Sequence, residues 1–261
     1  MKRVYKCKEE PEGLQRYRSR YPWETWEHFR RRARRGYQEV KQQILKDQHG
    51  LCAYCEIGIK LAEEEGEVDD FRVEHFYPKS ATTEYGHNYH LDWHNLLGVC
   101  HGGSQPLVPD AQWRYSKQKN DRSCDVPKGG KPITATILNP LKIPGKVRIF
   151  AYVEHSGKML VDQSTCPRKL WNRAERTIKE LNLNAPRLMR MRLAVIHKLQ
   201  DDIAAELEQG EQLEDVLTML AETCLVPDYE GRSLPFFSVI RWYLGEAAEK
   251  VIAASGDKLS R

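Results

Sequence analysis

Trp23, Trp26, Phe29, Ala33, Tyr37, Val40 and Ile44 recur at spacings of 3, 3, 4, 4, 3 and 4, the stripe of one amphipathic helix. Pro22 stands where a first-turn proline belongs, and the helix is predicted to run to about Asp47 and stop at His49-Gly50. From 51 to about 145 the periodicity dissolves into Gly, Pro, His, Asn and Cys. So long a stretch without a regular apolar face calls for something other than hydrophobic burial to hold it, and bound metal is the usual answer. Val147, Ile149, Ala151 and Val153 then alternate, His155-Ser156-Gly157 makes a turn, and Met159-Leu160-Val161 follows, which reads as a β-hairpin. Beyond Pro167 the pattern is helical to the end. The stripes are Trp171, Ala174, Ile178 and Leu181; then Leu188, Met191, Val195, Leu199, Ile203 and Leu207; then Leu213, Val216, Leu217 and Leu220; and last Phe236, Val239, Ile240, Tyr243, Leu244, Ala247 and Val251. The fold class is therefore α+β, divided into a basic helical segment 1–50, a metal-held core 51–145 and a hairpin with helices over 146–261. The final SGDKLSR reads as a frayed tail.

Composition narrows the class. The chain has 261 residues, 40% hydrophobic and 30% charged, the balance of a globular protein with one large domain or two small ones. No stretch approaches the roughly 20 apolar residues of a membrane span. The opening MKRVYKCKEE is polar where a secretory signal is apolar, so a cytoplasmic protein without a membrane role is expected. A net charge of +4 conceals segregation. Residues 1–50 carry 14 Lys/Arg against 7 Asp/Glu, residues 168–198 carry 9 against 2, and residues 201–224 carry 8 acidic residues and no basic one. Basic stretches suit a polyanion, because each neutralised phosphate releases counterions, while the plain alternative is a solvated helix face.

Seven cysteines, an odd number in a reducing compartment, point to metal before disulfides. Cys52-Ala-Tyr-Cys55 has the two-residue bite that places two thiolates on one edge of a tetrahedral zinc site. Cys100 and Cys124 lie downstream, separated by a polar, Gly- and Pro-rich segment that reads as a loop (101–123) inserted into a second knuckle. A Cys52, Cys55, Cys100 and Cys124 zinc site is the preferred assignment, with His101 the competitor for the fourth position. Cys7, Cys166 and Cys224 have no partner at ligand spacing, and the last two read as small hydrophobes.

Between the knuckles lie Val73-Glu74-His75-Phe76-Tyr77-Pro78, an acid–His pair at what looks like a strand end, and His94-Asn95-Leu96-Leu97-Gly98-Val99-Cys100; Cys124-Asp125-Val126-Pro127-Lys128-Gly129 follows the insertion. In that order the chain resembles the HNH endonucleases, the ββα-metal nucleases. It carries their CxxC, acid–His with a following proline, Asn-Leu, a cysteine five residues after the Asn, and a last cysteine followed by an acid and Lys-Gly. The resemblance implies a zinc-stabilised ββα-metal core that hydrolyses phosphodiester bonds, DNA favoured and RNA possible. By the same resemblance His75 is the general base, Glu74 and Asp125 hold one catalytic Mg²⁺ or Mn²⁺, Asn95 braces the loop that orients His75, and the zinc is structural. Two features depart from the usual pattern: Asp125 replaces the commoner His or Asn, and the last two cysteines are far apart. His101 and Asp121 are rivals for the position given to Asp125. His94, adjacent to Asn95, is expected to face away, His87 and His90 to lie where substrate passes, and His49, His155 and His197 to be surface imidazoles.

A narrower likeness covers roughly residues 20–245. Ile137-Leu138-Asn139-Pro140, the hairpin, Thr177-Ile178 and Leu181-Asn182-Leu183-Asn184 resemble the retron- and Septu-associated HNH proteins of the PtuB type. That resemblance implies an effector of bacterial antiphage defence beside a PtuA-like ATPase of the ABC/SMC kind, with a retron reverse transcriptase and its msDNA as further candidate partners. Two other readings compete: a non-catalytic zinc module that docks nucleic acid or a partner, and a stand-alone restriction-type HNH nuclease.

Overall fold

A computed structural model of the chain describes residues 1–63, 67–80 and 86–255. The expected tail therefore lies, apart from Ser255, outside the described residues.

The aromatic stripe of the N-terminal segment is split between two helices. α1 (Glu12–Arg20) comes first. α2 (Trp26–Arg32) starts behind Thr25, whose hydroxyl accepts from the His28 amide, and α3 (Arg34–Asp47) follows a break at Ala33. The single helix expected from Pro22 thus begins later and breaks once, and Trp23 lies 74% exposed rather than in the core. A physical reason is visible at the crossing of α1 and α3. A Cβ on Gly13 would stand 2.4 Å from the Gly36 Cα, so the two backbones touch there and fix where α3 begins. The ring of Trp26 is thereby free to turn toward the middle of the molecule.

β1 (Phe71–His75) and β2 (Leu96–Cys100) form an antiparallel pair with His75 opposite Leu96 and Glu74 opposite Leu97. α3 lies on β2 through Gly98, where a Cβ would come within 2.6 Å of Ile44. Gln48 locks the contact, donating to the Gly98 and Leu51 carbonyls and accepting from the Gly98 amide. The stretch expected to lack hydrophobic support is in fact well packed: Leu51, Ile57, Ile59, Phe71, Phe76, Leu91, Trp93, Leu96, Leu97 and Val99 are all buried. Their spacing shows no period because they come from turns and very short strands.

The insertion carries a one-turn helix α4 (Ala111–Arg114), and a second, α5 (Asp125–Lys128), starts directly after Cys124. The expected hairpin forms as β3 (Phe150–Val153) with β4 (Lys158–Val161), but β3 begins only at Phe150 and buries Phe150 and Tyr152 rather than Ala151 and Val153 of the expected alternation. α6 (Trp171–Glu180), α7 (Pro186–Glu208) and α8 (Leu213–Leu225) form where the stripes predict helices, although Leu207 and Leu213, counted in those stripes, are exposed. The last stripe, however, is divided into α9 (Phe237–Tyr243) and α10 (Gly245–Ala254), the second opening on Gly245 at φ +57°, and residues 226–236 are not helical.

Several polar residues of the narrower likeness have structural duties. Thr177 accepts from the Leu138 amide, Asn184 bonds both the amide and the carbonyl of Met159, and Asn182 donates to the Asn120 and Arg122 carbonyls. The basic surface expected over 168–198 is also reduced. Arg187 and Arg192 are each 1% exposed and serve as buried donors, Arg187 to Ser123 and the Asp121 carbonyl, Arg192 to the Gly157 and Leu183 carbonyls. No helix among the described residues is long and apolar enough to cross a membrane.

Candidate active site and metal centre

Leu51 bridges Gly58, and inside that turn the Cys52 amide donates to the Ile57 carbonyl, so Cys52 and Cys55 point to one side. Cys100 ends β2 and Cys124, at φ +62°, starts α5. Their four sulfurs converge within 4.8 Å of one another, all buried. Cys55–Cys100 is 3.5 Å, Cys100–Cys124 is 3.7 Å and Cys52–Cys124 is 3.9 Å. A disulfide needs about 2.05 Å. A zinc tetrahedron with bonds of about 2.3 Å has edges of about 3.8 Å, so the cluster has the dimensions of a metal site and not of a cystine. Burial drives the Cys52 and Cys124 thiols well above their ordinary range, a cost that a divalent cation on the thiolates removes. His101 is turned away, its Nε2–H donating to the Asp69 carbonyl at 2.8 Å.

Successive strand residues project to opposite faces, and β1 uses both. On one face Arg72 meets Asp125, with Nε 2.5 Å from Oδ2 and Nη2 2.8 Å from Oδ1. Beside them Lys128, 1% exposed, reaches Glu74 Oε1 at 2.6 Å and the His75 carbonyl at 3.1 Å. Glu74 is raised from its ordinary value by burial and by the charge of Asp125, against the pull of Lys128. Asp125 is raised by burial, against Arg72. Tyr54, fully buried inside the CxxC turn, feels both carboxylates, and its hydroxyl has no hydrogen-bond partner among the described residues. Two half-buried carboxylates, the charge of Asp125 raising Glu74, beside an orphaned hydroxyl form an oxygen donor set of the kind that hard divalent cations take.

On the other face His75 is 6% exposed, with Trp26 edge-on at 5.1 Å and the ring of His90 at 6.3 Å. Its Nε2 lies 3.1 Å from the His90 carbonyl. A carbonyl only accepts, so Nε2 carries the proton and Nδ1 keeps the lone pair. Burial lowers this imidazole to about 4, so it is neutral near pH 7.

Asn95 stands immediately before β2, hence just past His75 in the register. Its carbonyl accepts from the Phe76 amide and its side chain accepts from the Tyr77 amide at 2.7 Å while donating to the Tyr77 and Tyr89 carbonyls. One buried amide thus ties together both segments around His75. Asn95→Ala leaves these backbone groups unpaired and is expected to lower unfolding free energy by about 1–3 kcal/mol in a denaturant titration.

The remaining candidates are dispersed. Asp121 accepts from the Arg187 amide at the first turn of α7. His94 is exposed, as are His155 and His197, and His49 bonds the Gly231 carbonyl. His87 pairs with Asp92, and His90 Nδ1 accepts from the Trp26 amide. Arg72, Lys128, Tyr54 and Trp26 were not picked out as site residues in the sequence. The Lys-Gly of the motif was the only available signal, and it pointed to Lys128.

No protein-family model matches the chain. Over 207 residues, 72% of this chain and 76% of the relative, it is 34% identical to the Escherichia coli protein described as "Retron Ec83 putative HNH endonuclease". Kinship of that extent shows that the chain belongs to the HNH endonuclease family.

Proposed function

We propose that this protein is a metal-dependent endonuclease whose general base is His75 and whose Cys52, Cys55, Cys100 and Cys124 hold a structural zinc within a ββα-metal core. The observation that carries the reading is the end of β1, where His75 is oriented by the His90 carbonyl and the Asn95-braced loop while the adjacent Glu74, held by Lys128, lies beside Asp125, held by Arg72. Glu74 and Asp125 would hold one Mg²⁺ or Mn²⁺, which when bound supplies Lewis acidity to the scissile phosphate. His75 Nδ1 takes the proton of the attacking water, while its Nε2–H remains on the His90 carbonyl and keeps the ring oriented. Lys128 and Arg72 hold the two carboxylates in place and offset their charge until the cation is bound. Asn95 fixes the loop around the base.

The relative's name links it to a retron. By that kinship and the residues of the narrower likeness, we place the chain in antiphage defence, acting on DNA first and RNA second, beside a PtuA-like ATPase and a retron reverse transcriptase with its msDNA. The Lys128–Glu74 and Arg72–Asp125 ion pairs are also what a non-catalytic zinc module would keep, and a cleavage assay separates the two. The zinc-loaded chain, co-purified with its operon neighbours, is expected to cut DNA or total RNA only with Mg²⁺ or Mn²⁺ added. Failure to cut either would leave the zinc module as the better description.

A further inference from the structure

The eight arginines between residues 12 and 35 face only three acids in the same stretch, and all eight are exposed. Five of them, Arg16, Arg20, Arg32, Arg34 and Arg35, line a groove of about 480 Å³ between α1 and α3. Its floor is the Gly13–Gly36 contact, where the absence of side chains lets the helices close while the cleft above them stays open. Arg16, Arg32 and Arg35 have loose ion pairs at 3.4–3.6 Å, whereas Arg20, Arg31 and Arg34 have no acidic partner among the described residues. Uncompensated arginines around a cleft attract a polyanion rather than one another.

The groove is lined by aromatic rings as well as charge. Tyr17 and Tyr21 lie within it, their centroids 5.1 Å apart, and the Arg20 guanidinium sits over Tyr21. Two residues beyond Tyr21 in the chain, Trp23 is 74% exposed, against Gly86. The turn that carries Trp23 is clamped to the 86–90 loop, because Asn88 donates to the Pro22 and Glu24 carbonyls. That loop supplies the His90 carbonyl that orients His75. Inside the protein the same connection runs ring to ring, Tyr21–Tyr17–Phe29–Trp26–His75, each step between 5.1 and 5.3 Å. The groove is therefore mechanically joined to the candidate base.

We propose that the α1–α3 groove is the binding track for a single-stranded nucleic acid, its phosphates on Arg20, Arg34 and their neighbours and an unpaired base stacked on Trp23, leading the strand to His75. The proposal rests on the nuclease reading and specifies its substrate form. A duplex keeps its bases stacked on one another and has no face to offer Trp23, whereas each unpaired base has one.

Fluorescence anisotropy tests this with the full zinc-loaded chain, labelled oligo(dT) about 20 nucleotides long and a duplex of equal length, without added Mg²⁺ or Mn²⁺. The single strand is expected to bind more tightly than the duplex. Arg20→Gln with Arg34→Gln should lower the slope of log affinity against log salt by about 1.4, two single-strand phosphate contacts at about 0.7 each. Trp23→Ala should weaken binding roughly fivefold or more with that slope unchanged. Wild-type affinity and slope in both variants, or equal binding of strand and duplex with Trp23→Ala indifferent, would overturn the proposal. Cleavage of the same strand, assayed separately with Mg²⁺, keeps the two readings apart. Groove-dependent binding without cutting supports the track and removes the nuclease, while cutting with groove variants of wild-type affinity removes the track.

Discussion

Cys52→Ala is expected to leave the chain unable to fold around its centre. Cys52 comes from the CxxC turn, Cys100 from the end of β2 and Cys124 from the start of α5, so one ion on these sulfurs joins three segments. Structural zinc contributes on the order of 10 kcal/mol or more to small sites, comparable with the whole net stability of a domain, about 5–15 kcal/mol. Losing one ligand also leaves three buried thiols at a site shaped for four. The expected result is loss of cooperative unfolding and of bound zinc, read by circular dichroism and metal analysis, and chelation of the wild type should produce the same state. A Cys52→Ala protein that melts cooperatively with a full equivalent of zinc would contradict the assignment.

The second large effect is expected at His75. Removing a general base slows a reaction by about 10²–10⁴-fold. Because His75 is packed under Trp26, an alanine there also opens a cavity. His75→Gln is the sharper variant: its side-chain amide can still donate to the His90 carbonyl and fill the space, but it has no basic nitrogen. Cleavage should fall by that factor while zinc content and melting temperature stay near wild type.

Legibility in the sequence followed how local each determinant is. The CxxC turn, the β3–β4 hairpin and the stripe of α7 were legible because spacing within a few residues defines them. The convergence of Cys100 and Cys124 on that turn was legible from ligand arithmetic. The break at Ala33 was not, since alanine is a good helix former lying on the apolar stripe, and what sets the break is the Gly13–Gly36 contact between residues far apart in the chain. α1 was missed because it buries only Leu14 and Tyr17 and otherwise reads as charged loop. The partners of the two carboxylates were equally hidden: Lys128 meets Glu74 across 54 positions and Arg72 meets Asp125 across 53, distances over which no pattern survives. Two arginines counted as basic surface, Arg187 and Arg192, are internal donors, which charge totals do not distinguish.

The central claim is tested most directly by single-turnover cleavage of DNA and RNA, wild type against His75→Gln, at equal zinc content and with or without Mg²⁺ or Mn²⁺. The expected result is metal-dependent cutting by the wild type and a loss of about 10²-fold or more in the variant. Equal rates in the two proteins, or no cutting by the wild type with either ion, would contradict it.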